Sequence, residues 1–158
     1  MARERSFDAA KKLAEALAAT GLARPDLARE FRPGAVCSLN DAAIDFPTDR
    51  LPGAGERTEH GRRRAIVMQC RPWSQSKAPP TLLVVPCSAS HRGGLGPWDV
   101  HIPDETPGFT KEKVVAYTSL VQPVLKSDVV VVHGHVDADT LQVLFRTLAQ
   151  LLDLSAMA

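Results

Sequence analysis

Short apolar runs separated by Pro- and Gly-containing segments, followed by one amphipathic helix, limit the folds open to this chain. Strands are predicted at residues 36–39, 65–70, 82–85, 98–102, 114–124 and 129–132. The first strand is expected to continue at 44–46, and Gly134 to break the last. Short strands followed by a packing helix predict an α+β fold, in which a small, strongly curved sheet or barrel carries helices.

The C-terminal helix is the clearest element of the pattern. Asp137 or Asp139 is the expected N-cap. Its apolar stripe consists of Leu141, Leu144, Phe145, Leu148, Leu151 and Leu152. This spacing buries one face of a helix.

The first thirty residues have a different pattern. Ser6 is a plausible N-cap for a helix rich in Ala, Leu and Lys, and Gly21 ends it. We therefore divide the chain into an N-terminal helical extension, residues 1–30, and a main domain, residues 31–158. Residues 47–60 show no periodicity and predict a long loop.

Composition excludes several classes of protein. No apolar run approaches the ~18 residues that a membrane span requires, and the N-terminus has no apolar stretch like that of a signal peptide. The three cysteines, Cys37, Cys70 and Cys87, form no Cys-x-x-Cys pair. We expect a cytoplasmic protein without a metal site, disulfide or other cofactor.

Charge is distributed unevenly along the chain. The formal net charge is only +1, yet residues 57–92 contain seven basic residues against one acid, Glu59. Such a segment suggests a local anionic partner, although solvated arginines at strand ends would produce the same count.

Two segments combine an apolar strand with a polar end. Residues 60–69 begin His-Gly-Arg-Arg-Arg and continue as a strand, whereas residues 81–90 are a strand that ends Cys-Ser-Ala-Ser. If the two strands are neighbours, guanidinium and hydroxyl groups converge on one anion. This pattern points to phosphate chemistry, and RNA is the expected substrate.

An ordered set of motifs resembles the MazF/PemK (Kid-like) toxins of bacterial toxin–antitoxin pairs. The similar segments are Pro-Gly-Ala-Val at 33–36, Asp-Phe-Pro-Thr at 45–48, Gly-Arg-Arg-Arg at 61–64 and Val-Pro-Cys-Ser at 85–88. The resemblance covers roughly residues 31–154 in the family's order. It implies an SH3-like barrel with a C-terminal helix, and a metal-independent endoribonuclease. The implied products carry 2′,3′-cyclic phosphate and 5′-hydroxyl ends.

The resemblance also implies the catalytic pair. Arg63 matches the family's main catalytic arginine, whose planar donors suit two phosphoryl oxygens. Ser88 matches its catalytic Thr or Ser, although a strand-end hydroxyl can also simply satisfy a nearby backbone group. Ser119-Leu120 stands where the family has an Asp-Gln pair, so an acidic group is missing there.

The general base is assigned from residue chemistry. His60 is the leading candidate for general base because imidazole transfers protons near neutral pH, and Glu59 is the second. Either can instead be an ordinary loop residue. We predict that Arg62, Arg64 and Ser90 contact RNA, and for the two arginines a solvated position is the alternative. The resemblance implies that Tyr117 contacts RNA too, because its position contributes to the family's substrate groove.

The resemblance further implies a homodimer that is inhibited by a cognate antitoxin. Two other functions fit the same residues. One is a catalytically decayed binding module, favoured by the missing Asp-Gln pair, and the other is a gyrase-inhibiting toxin on the same fold.

Overall fold

The computed structural model describes residues 31–47, 52, 60–69, 80–89, 95–110 and 113–154 of the 158-residue chain. The predicted helical extension, residues 1–30, lies outside the described residues. Most of the predicted loop at 47–60 does so as well. In the described part of the chain, every helix falls short of the length and apolar character that a membrane span requires.

Seven strands and one α-helix form the described part of the chain. The strands are β1 Ala35–Asn40, β2 Arg62–Val67, β3 Thr81–Ser88, β4 Asp99–His101, β5 Val115–Tyr117, β6 Gln122–Leu125 and β7 Val129–His135. The helix α1 spans Ala138–Leu151, and short 3-10 turns occupy Asp41–Ala43, Thr118–Leu120 and Lys126–Asp128. The α+β fold predicted from the sequence is confirmed.

All strand pairs are antiparallel and form one sheet, in the order β4-β5-β3-β2-β1-β7, with β6 also paired to β3. Each face of the sheet carries its own apolar cluster. We call the face with Cys37, Ala65 and Val84 the inner face. The opposite face, with Ile66 and Val85, packs against Leu144 of α1 and is called the helix face. Alternation along a strand therefore assigns each side chain to one of two cores.

The long strand predicted at 114–124 is wrong, because it is divided into β5 and β6 by a 3-10 turn. Both halves pair with β3, which aligns Cys87 with Ala116 and Val84 with Gln122. The backbone of Leu83 bonds toward the β2 side, to Met68 and Gln69. Backbone hydrogen-bonding groups alternate in direction along a strand, so those of Pro86 point toward β5 and β6. Proline has no backbone N–H to donate there, and the strand opposite is interrupted between β5 and β6.

Two further strand predictions are wrong. Residues 44–46 do not continue β1, because the turn Asp41–Ala43 redirects the chain and Phe46 packs against the inner-face cluster. Gly134 does not break the chain, since β7 runs through it to His135. Its missing side chain permits a close approach, because a Cβ there would lie 2.8 Å from Cβ of Pro107.

The helix α1 begins as predicted. Asp137 is the N-cap, and its carboxylate accepts hydrogen bonds from the backbone N–H and the hydroxyl of Thr140, both at 2.8 Å. These bonds lower the pKa of Asp137. Leu141, Leu144 and Leu148 pack against the helix face. The predicted stripe is too wide, because Phe145 and Leu152 are exposed.

Candidate active site

An open pocket of about 200 Å³ lies at the paired ends of β2 and β3. It is lined by His60, Arg62, Arg63, Arg64, Cys87, Ser88, Ala89, Gly108, Phe109, Thr110 and Val114. The pocket therefore brings together the polar ends of the two segments identified in the sequence. Three arginines and no acidic residue appear among the described residues that line it, so the site favours an anion.

Strand register explains why Arg63 and Ser88 meet. β2 and β3 pair Arg64 with Cys87, so Arg63 and Ser88 occupy the next position across the two strands. Residues opposite each other in an antiparallel pair share a face. Arg63 and Ser88 therefore extend from the inner face at the pocket.

Arg63 is held by two contacts. Its Nε donates to Oδ1 of Asp41 over 2.6 Å, and its guanidinium carbon lies 4.5 Å from the centroid of the Phe46 ring. The side chains of Arg63 and Asp41 are only 10% and 6% exposed. Burial strengthens the attraction within the pair but makes loss of either partner costly. The guanidinium plane is thus preorganised before any ligand binds.

Asp41 is the residue that sequence reasoning missed. Its second oxygen, Oδ2, accepts a hydrogen bond from the backbone N–H of His60 over 3.2 Å. One carboxylate therefore connects Arg63 to His60 at the edge of the pocket. No local sequence signal identifies Asp41, because it comes close to the arginines only through the β1–β2 register, in which Asn40 pairs with Arg62.

A glutamine fixes the segment that covers Arg63. The side chain of Gln122 accepts from the backbone N–H of Asp45 at 2.8 Å and donates to the carbonyl of Asp45 at 3.0 Å. This clamp positions the neighbouring Phe46. The Phe46 ring also meets the Tyr117 ring edge-to-face, with centroids 6.5 Å apart.

Tyr117 lies beside Ser88. A side-chain hydrogen bond with Ser88 and the charges of Asp99 and Arg63 all act on the pKa of Tyr117. Burial and Asp99 raise the pKa of Tyr117, while the Ser88 hydrogen bond and Arg63 oppose the rise. The phenol therefore holds its proton more firmly than an ordinary tyrosine.

Arg64 points to the helix face and is bound internally. Its Nε donates to the carbonyl of Gly108 and its Nη1 to the hydroxyl of Ser38, both over 2.6 Å. The sequence predicted that Arg64 either contacts RNA or is solvated. Its hydrogen bonds to Gly108 and Ser38 are a third arrangement that was not predicted. Arg62 is exposed. Both arginines nevertheless line the pocket.

His133 packs behind the Gly108 segment. A Cβ on Gly108, whose φ is +88°, would lie 2.5 Å from Cβ of His133. Burial, followed by the charges of Arg64 and Arg62, lowers the pKa of His133. Its Nε2 is buried, with no hydrogen-bond partner among the described residues. His133 therefore favours the neutral form behind the arginines.

Three further residues singled out from the sequence are Ser90, Glu59 and Cys87. Ser90 lies outside the described residues, as does Glu59. Cys87 is buried, and burial raises the pKa of its thiol strongly, which agrees with a structural cysteine instead of a nucleophile. Within the described ranges, no three His, Cys, Asp or Glu side chains are grouped to hold a metal ion.

The antiparallel sheet with its C-terminal helix has a MazF/PemK-like fold, as similarity to solved MazF structures shows. MazE-MazF from Deinococcus radiodurans (Form-III) is similar at 19% identity and a TM-score of 0.55, over 79% of this chain and 98% of that one. An endoribonuclease in complex with its cognate antitoxin from a mycobacterial species is similar at 13% identity and a TM-score of 0.54, over 79% and 95% of the two chains. The sequence matches no family model and no curated protein.

Proposed function

We propose that this chain is the toxin of a toxin–antitoxin pair and a metal-independent endoribonuclease that cleaves single-stranded RNA. The observation that carries the proposal is one pocket lined by His60, Arg63 and Ser88, in which Asp41 bonds both Arg63 and the backbone of His60. The likeness to MazF structures supports the same conclusion at the level of the fold.

Arg63 supplies the charge that the reaction requires. Its Nε is used by Asp41, and no described residue accepts a hydrogen bond from either of its Nη groups. Two donors thus remain for the phosphoryl oxygens of the scissile phosphate. Such preorganised donors are often the largest catalytic contribution, and removal of one costs about 10²- to 10³-fold in rate.

Ser88 and His60 complete the proposed chemistry. The Ser88 hydroxyl donates to the phosphate opposite Arg63 and holds it in line for attack. His60 removes the proton of the 2′-hydroxyl, whose oxygen bonds to phosphorus as the bond to the 5′-oxygen breaks. The products are a 2′,3′-cyclic phosphate and a 5′-hydroxyl.

Substrate and partner contacts are proposed around this centre. Arg62, Arg64, Ser90 and Tyr117 contact RNA, and the basic pocket also receives an acidic segment of the antitoxin. Solved structures with this fold include a MazE-MazF complex and an endoribonuclease with its cognate antitoxin. A homodimer is proposed on the family resemblance, and light scattering of the purified chain tests it.

The decisive experiment is RNA cleavage in excess EDTA with mixed single-stranded RNA. Ser88→Ala removes only a hydroxyl, and Arg63→Lys keeps a positive charge beside Asp41 but removes the planar fork. Arg146→Ala, on the exposed side of α1, is the matched control. We expect the wild type and the control to cleave and both site variants to lose at least about 10²-fold in rate.

Three outcomes would overturn the proposal. Intact RNA across many sequences would favour the decayed binding module, and cleavage that requires a divalent ion would refute the mechanism. Equal activity of Ser88→Ala and Arg146→Ala would place the chemistry elsewhere. Circular dichroism of each variant separates loss of chemistry from loss of folding.

A further inference from the structure

Tyr117 is not among the residues that line the pocket, but its side chain lies beside Ser88, which does line it. A side-chain hydrogen bond with Ser88 and the charge of Arg63 both act on the pKa of Tyr117. Register places both on the inner face, because β5 pairs Ala116 with Cys87 and Val115 with Ser88. A phosphate bound by Ser88 and Arg63 therefore lies next to a phenolic O–H.

We infer that Tyr117 is the general acid of the reaction and delivers a proton to the leaving 5′-oxygen, directly or through the Ser88 hydroxyl. This inference rests on the proposed ribonuclease function. It gives Tyr117 a chemical role in addition to the RNA contact predicted from the sequence.

The protons taken up and given out by the site balance over one turnover. His60 takes the proton of the 2′-hydroxyl while the bond between the 2′-oxygen and phosphorus forms. The bond from phosphorus to the 5′-oxygen breaks, and that oxygen receives the Tyr117 proton. The charge of Arg63 stabilises the resulting phenolate. The proton held on His60 then returns through solvent to the phenolate of Tyr117. No oxidant, reductant or metal is needed.

Surrounding groups suit this role. Asp99 pairs with Tyr117 across β4 and β5, and its charge helps to keep the phenol protonated before the reaction. The edge-to-face contact with Phe46 fixes the ring. A phenol is also a far stronger acid than the alcohol that must leave, so proton donation to the 5′-oxygen runs downhill.

Tyr117→Phe tests the inference, because it removes one oxygen and keeps the ring against Phe46. The substrates are an oligoribonucleotide with one ordinary linkage and the same molecule with a bridging 5′-sulfur there. A thiolate leaves without a proton, since the pKa of a thiol is about 8.5. We expect Tyr117→Phe to cleave the ordinary linkage about 10²- to 10⁴-fold more slowly than wild type, and the sulfur linkage at the wild-type rate.

The controls separate three results. Ser88→Ala should be slow on both substrates, because it also loses phosphate positioning, whereas Arg146→Ala should match the wild type on both. If Tyr117→Phe is slowed equally on both linkages, Tyr117 is not the acid. The same conclusion follows if Tyr117→Phe cleaves the ordinary linkage as fast as the wild type. If the wild type cleaves neither substrate, the ribonuclease proposal itself fails.

Discussion

Arg63 and Arg64 are adjacent in the sequence but bind groups on opposite faces of the same sheet. Arg63 is paired with Asp41 on the inner face, and Arg64 donates to Ser38 and Gly108 on the helix face. The alternation of a strand separates them. One arginine therefore presents charge to the pocket centre, whereas its neighbour secures the pocket wall.

Removal of the Asp41 carboxylate should destabilise the protein. Asp41→Ala leaves Arg63 buried without its partner, and we expect a loss of about 3–5 kcal/mol in the free energy of unfolding. Urea denaturation measures this loss. Glu105→Ala, at an exposed position, is the control and should change stability by less than about 0.5 kcal/mol. Equal stability of the two variants would show that the ion pair contributes little.

Neighbouring arginines should respond differently to truncation. Arg64→Ala removes two internal hydrogen bonds from a charged donor and should cost about 1.5–3 kcal/mol or more in unfolding free energy. Arg62→Ala should leave stability nearly unchanged but weaken the salt dependence of RNA binding. If Arg62 neutralises one phosphate, the slope of log K against log salt concentration should become shallower by about 0.7. Denaturation and binding titrations at several salt concentrations measure both effects. The reverse pattern would contradict the structure.

Gly108→Ala should be strongly destabilising. The φ of +88° disfavours any L side chain, and the new Cβ would lie 2.5 Å from Cβ of His133. Hydrogen exchange should show faster exchange in residues 106–110, because the carbonyl that Arg64 holds must move. Gly61→Ala is the matched control, since nothing lies within 4 Å of a Cβ there. Similar melting temperatures for the two variants would contradict this expectation.

The N-cap of α1 should make stability depend on pH. The pKa of Asp137 is lowered in the folded state, so its contribution is present above the ordinary carboxyl pKa of ~3.9 and is lost as pH falls through the folded value. Asp137→Asn keeps a capping side chain without the charge. The stability difference between wild type and this variant should shrink as the solution is acidified. A difference that is constant with pH would rule out the ionised cap.

Tyr117 is the chain's one tyrosine, so its ionisation can be followed directly by tyrosinate absorbance. We expect a single transition above the ordinary pKa of ~10. Asp99→Asn should move the transition to lower pH, because the carboxylate opposes the phenolate charge. Because the folded pKa is raised, this group's contribution to stability is present below ~10 and is lost as pH rises through the folded value. A transition at or below the ordinary pKa would contradict the described surroundings of Tyr117.

Local patterns in the sequence were sufficient for much of the fold. Apolar runs predicted strands within β1, β2, β3, β4 and β7, and helical spacing with an acidic cap predicted α1. These signals are local, because alternation and capping depend on residues a few positions apart. Arg63 and Ser88 could be selected in the same way, with the help of the family resemblance, since each lies at the polar end of an apolar run.

Tertiary structure decided which groups surround that pair. Asp41 meets Arg63 across twenty-two positions of the chain, and Gln122 clamps Asp45 across seventy-seven. Sequence periodicity does not predict contacts between residues so far apart, because they follow from strand register and from the turn at Asp41–Ala43. The interruption of the strand opposite Pro86 likewise depends on which neighbouring strand the backbone groups of Pro86 point toward. The sequence by itself therefore determined most of the strands, the helix and the choice of Arg63 and Ser88 as candidates, whereas only pairing between distant segments supplied the carboxylate, the aromatic ring and the phenol around them.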